Sequence, residues 1–156
     1  MTDLALQDAV IEEIKALMER QSLRKLNGDV WKDYSIYRQD KPYKDDENDD
    51  DQEDYIIVML DDEDLGADNR WKVDVHIIIS ICLYEEQHQG NLILANLMNQ
   101  IYMHLARKGV IGNMFEMEAE AHKRFNHECY PNYYECDLIT VWRLPELERA
   151  AEEDFI

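Results

Sequence analysis

The side chains best equipped for chemistry fall late in the chain, where His122, His127, Cys129 and Cys136 form a His-x4-His-x-Cys-x6-Cys arrangement. A cysteine nucleophile needs a neighbouring base or cation to hold it as the thiolate, and Cys129 has His127 and His122 nearby in sequence. The same four residues are of metal-ligating type. Structural zinc sites, however, present paired ligands two to four residues apart, a pattern this set does not repeat. The plainer reading is that they are turn and strand-edge residues of a polar hairpin.

A second concentration of reactive groups runs from Asp45 to Asp54. It comprises Asp45, Asp46, Glu47, Asp49, Asp50, Asp51, Glu53 and Asp54, broken only by Asn48 and Gln52. Hard cations take carboxylate oxygens, so calcium is the chemistry to test. Counted from Asp46, the sixth position is Asp51 rather than glycine and the twelfth is Ile57 rather than glutamate, so the calcium-loop pattern fails. His76 and His88 have no partner at metal-site spacing and read as surface or hydrogen-bonded histidines. The five glycines are scattered singly, which leaves no phosphate-cradling loop, and Ser22, Ser35 and Ser80 occupy no nucleophile elbow. The expectation is a non-enzyme with no cofactor and no metal. Its contact residues would be carboxylates: the 45–54 run together with Glu85 and Glu86.

Elements to position these groups follow from periodicity. Leu6, Val10, Ile14, Leu17 and Met18 recur at helical spacing from Asp3 to about Ser22, with Thr2 or Asp3 as cap. Val30–Tyr37 and Tyr55–Leu60 are rich in aromatic and β-branched residues and predict two strands. They would form a hairpin whose tip is the acidic segment 40–54, too charged to bury anything and therefore mobile. After a second acidic turn at 61–66, Trp71–Tyr84 carries Val73, Val75, Ile77, Ile79 and Ile81 on one face, the pattern of a long strand. Leu94, Leu97, Met98, Ile101 and Leu105 predict a second helix from Gly90, ending at Arg107-Lys108-Gly109. Phe115–Ala121 alternates with glutamates, and Tyr133–Leu144 closes the pattern. The predicted fold is a single α+β domain over 1–145, a mixed and mostly antiparallel sheet with two main helices on one face, followed by a charged tail at 146–156.

Composition narrows the partners. Sixteen basic against 35 acidic residues give a net charge of −19 over 156 residues, which repels phosphate backbones and anionic membranes alike. The longest nearly apolar run, Ile77–Leu83, is far short of the roughly 20 residues a membrane helix needs. No export signal is visible, and three irregularly spaced cysteines fit a reducing compartment.

Trp71-Lys72-Val73 opening a long strand, Glu85-Glu86 before Gly90, an apolar helix, and a Phe115 hairpin returning to Trp142-Arg143-Leu144-Pro145 together resemble the tail-terminator (tail-completion) proteins of long-tailed bacteriophages and prophages. The resemblance covers Trp71 to Arg149. It implies a homo-hexameric ring that sits on the last ring of tail-tube protein, ends polymerisation and presents a surface to the head-side connector. It further implies assembly in the host cytoplasm and residence in the virion tail, with DNA passing through the ring unbound. Two other readings compete: an acidic DNA mimic that inhibits a host nuclease, and an enzyme built on His122, His127 and Cys129.

Overall fold

The computed structural model describes residues 2–20, 35–40, 54–82, 90–127 and 133–146, and every structural statement below concerns these. Helix α1 spans Asp3–Arg20, and Thr2 caps it: its Oγ1 accepts the Ala5 backbone N–H at 3.2 Å, three residues into the helix. Strands β1 (Ser35–Arg38), β2 (Tyr55–Leu65) and β3 (Trp71–Cys82) follow, then α2 (Gly90–Lys108). The chain continues through β4 (Val110–Ile111), β5 (Phe115–Asn126) and β6 (Tyr133–Arg143). The six strands form one sheet in the order β1-β2-β3-β6-β5-β4, antiparallel except for β1 against β2. The predicted α+β class and mixed sheet hold.

Both helices lie on one face, where the stripes read from periodicity close the core. Val73, Val75, Ile77, Ile79 and Ile81 of β3 and Leu138 and Trp142 of β6 are each at most 1% exposed, facing Leu94, Leu97, Met98, Ile101 and Leu105 of α2 and Leu6, Val10 and Ile14 of α1. Full burial of each such side chain is worth about 1.5–3 kcal/mol. Thr140 is the polar member of this face. Its hydroxyl donates to the Val75 carbonyl at 3.0 Å and accepts the Trp142 indole N–H at 2.8 Å, so both buried groups are satisfied. Two glycines have positional reasons. Gly109 ends α2 at φ 68°, its N–H returning to the Leu105 carbonyl. Gly90 starts α2 where a Cβ would fall inside the ring of Tyr134.

Two expectations need correction, and one strand was not foreseen. Strands β1 and β2 do not make a hairpin: Ser35 lies opposite Tyr55 and Arg38 opposite Val58, a parallel register. Parallel neighbours require a crossover of a dozen or more residues rather than a tight turn. Residues 39–54 supply it, with 41–53, and the mobility expected there, outside the described residues. The acidic segment 61–66 is not a turn either. β2 runs on to Leu65 across a bulge between Leu60 and Glu63, and the turn lies at residues 66–69, closed by the Gly66 N–H to the Arg70 carbonyl. Carboxylates are tolerated in that strand because Asp61, Asp62 and Asp64 are exposed, with Asp64 opposite Lys72 and Asp61 reaching His76. Finally, β4 is two residues long, too short to show periodicity.

Candidate functional site

The His/Cys set is taken apart by the sheet. Cys136 faces the core, 1% exposed, and its thiol is pushed up to about 12 by burial, with Asp137 and Glu135 adding to the rise. A thiol held that way is not the thiolate that nucleophilic or metal chemistry requires. His122 lies opposite Ile139 on the other face, so it and Cys136 point apart. His127 is exposed just beyond β5, its ring stacked on Phe125 with centroids 6.4 Å apart. Cys129, His88, Glu85, Glu86 and the acidic residues from Asp45 to Glu53 lie outside the described residues. Among the described residues, no group of three His, Cys, Asp or Glu is arranged to hold a metal ion. No described helix is long and apolar enough to cross a membrane.

Asp54, the one described member of the acidic run, is half-buried and ties three strands together. Its carbonyl accepts the Ser35 N–H, and its Oδ1 accepts the Cys82 N–H, both at 3.1 Å.

The opposite face of the sheet carries no helix among the described residues, and there the register assembles a surface that no single segment reveals. Ile78 sits between Ile57 of β2 and Asp137 of β6, while His76 sits between Met59 and Ile139. These apolar side chains are partly buried and still reach solvent. His76 is 13% exposed and bridges two strands, with Nδ1 2.7 Å from Asp137 Oδ2 and Nε2 2.9 Å from Asp61 Oδ2. Beyond this centre, at the end of the sheet where β3 begins and β6 ends, lies a group of charged pairs. Lys72 meets Glu120 at 2.6 Å, Arg70 meets Glu116 at 3.3 Å, and Arg143 contacts Asp68 at 3.2 Å and also pairs with Glu118. Asp74 titrates above the usual carboxylate range because of burial first, then the nearby charges of Asp62 and Asp61. Sequence reasoning missed Asp61 and Asp137 as partners of His76, since 15 and 61 residues separate them and only the β2–β3–β6 register brings them together.

Two recesses lie away from this face. A cleft of about 440 Å³ at the start of α1 is lined by Thr2, Asp3, Glu63, Trp71 and Leu144, with Trp71 43% exposed. Glu63 there is raised to about 7 by burial and by the hydrogen-bonded carboxyl of Asp3. A groove of about 270 Å³ between α1 and α2 has Leu17 at its floor and Met103 and Arg107 on its rim.

No protein-family model matches the chain, and no curated protein matches it. A solved structure aligns with 96% of this chain and 99% of its own at a TM-score of 0.53 and 6% identity. At that identity the likeness is one of fold, and it extends over the two-helix, six-stranded α+β architecture as a whole.

Proposed function

We infer that this chain is a non-catalytic assembly subunit that binds other protein subunits through the helix-free face of its sheet. The observation that carries this reading is the patch of Ile57, Ile78, Met59 and Ile139 around His76, with charged pairs beside it at the Lys72–Arg143 end of the sheet. An apolar patch with polar groups at its margin is the anatomy of protein interfaces. The acidic surplus selects a basic partner surface and repels nucleic acid. The resemblance of Trp71–Arg149 to phage tail terminators gives the specific form: a hexameric ring that caps the tail tube, stops its polymerisation and joins it to the head-side connector. Element order supports that form, since helix, long strand, helix and returning hairpin occur in the order the resemblance expects.

The test is to mix the purified chain with polymerised tail-tube protein and image the tubes in negative stain. Density at one end of each tube, with shortened tubes when the chain is present during polymerisation, supports the reading. Tubes of unchanged length with bare ends contradict it. The net charge of −19 also favours a DNA-mimic inhibitor. Against it, several described carboxylates of this face, Glu116, Glu118, Glu120 and Asp137, are engaged by Arg70, Arg143, Lys72 and His76 rather than ranked freely like phosphates. Inhibition of a restriction nuclease at equimolar protein would favour the mimic.

A further inference from the structure

With a charge of −19, two copies of this chain repel overall, so contact between copies requires local points of opposite charge. The described structure offers such a pair of surfaces on different parts of the molecule, each with an apolar group beside its charge. In the cleft at the start of α1, the carboxyls of Asp3 and Glu63 face each other with no cation partner among the described residues, beside the exposed ring of Trp71. Leu65, 53% exposed, lies directly opposite Trp71 on the neighbouring strand and widens the apolar rim.

The complement is on the last turn of α2. Lys108 there is engaged by Glu13 at 2.7 Å, whereas Arg107 is exposed and has no ion-pair or hydrogen-bond partner among the described residues. Met103, one helical turn back on the same side and 39% exposed, gives it an apolar neighbour. Guanidinium suits the cleft in two ways. Its flat face stacks on an indole, and its fork of N–H donors can serve two carboxylates at once.

We propose that Arg107 of one copy seats between Asp3 and Glu63, over the Trp71 ring, of the next copy. The two surfaces differ, so the joint is head-to-tail, the kind of contact that closes into a ring when successive rotations close. This joint rests on the ring reading above and names the residues that would make the ring.

Solution mass by light scattering on the full chain tests it, with the folding of each variant checked by its unfolding transition. The wild type is expected at the mass of six 18.6 kDa protomers, about 112 kDa. Arg107→Glu is expected to fall to 18.6 kDa, and the charge swap Glu63→Arg/Arg107→Glu to recover the larger mass. Arg107→Glu keeping the wild-type mass overturns the joint while leaving the ring standing, as does a folded charge swap that stays monomeric. A wild type at 18.6 kDa at every concentration overturns both the joint and the ring.

Discussion

His76 meets Asp137 across the β3–β6 ladder, Nδ1 to Oδ2 at 2.7 Å, while its other nitrogen reaches Asp61 on β2. One imidazole thus pins three adjacent strands at the centre of the helix-free face. Each ring nitrogen faces a carboxylate oxygen, so the two contacts fix the orientation of the imidazole plane. His76→Ala removes these contacts and leaves Asp137, whose Oδ1 is already buried without a partner, poorly compensated. The expected cost is about 1.5–3 kcal/mol, read from the midpoint of urea unfolding.

Thr140→Val tests the polar bridge beneath α2. The substitution keeps shape but strands the Trp142 indole N–H and frees the Val75 carbonyl, both in a fully buried setting. We expect a loss of about 1–3 kcal/mol in the same unfolding measurement, with a change in the intrinsic fluorescence of the folded protein.

Gly90→Ala places a methyl group in the Tyr134 ring at the start of α2. Overpacking of this kind costs about 1–3 kcal/mol. The double variant Gly90→Ala/Tyr134→Leu should lose less than the two single losses added together, because the clash is then relieved.

Glu63 sets a pH dependence whose sign is opposite to that of a salt-bridged carboxylate. Burial and the Asp3 carboxyl raise it from 4.5 to about 7 in the folded state, so the unfolded chain releases this proton first. Its contribution is fully present below pH 4.5 and is lost as pH rises to about 7. Glu63→Gln removes the loss. Since the group is largely solvent-screened, the effect is modest: a melting temperature roughly 2 °C above wild type at pH 8, and no difference at pH 4, by calorimetry of the dilute chain.

Much of the scaffold was legible because burial imposes periodicity. The stripe Leu6, Val10, Ile14, Leu17 and the alternation from Val73 to Ile81 appear in the core as read, since each repeats often enough to define a face. The parallel β1 was not legible. Four residues carry no orientation signal, and the pairing of Ser35 with Tyr55 is decided by the crossover between them. Asp61–Gly66 was misread because acidic residues resemble a turn until the bulge after Leu60 and the facing Lys72 and His76 are seen to accommodate them in a strand. The candidate surface was least visible of all: Ile57, Ile78 and Ile139 belong to three strands, and only the register places them side by side.

Ile78→Asp puts a charge in the middle of that surface without touching the core, because Ile78 faces away from the helices. Folding should be retained, and affinity for tail-tube ends should drop at least about 30-fold, the loss of a central interface contact worth 2 kcal/mol or more. Sedimentation with assembled tubes reads both outcomes.

The most direct test of the account is the solution mass of the unaltered chain, measured by light scattering across a wide concentration range with negative-stain images of the same fractions. The account predicts ring-shaped particles near 112 kDa, six copies of 18.6 kDa. A featureless 18.6 kDa monomer throughout that range contradicts it.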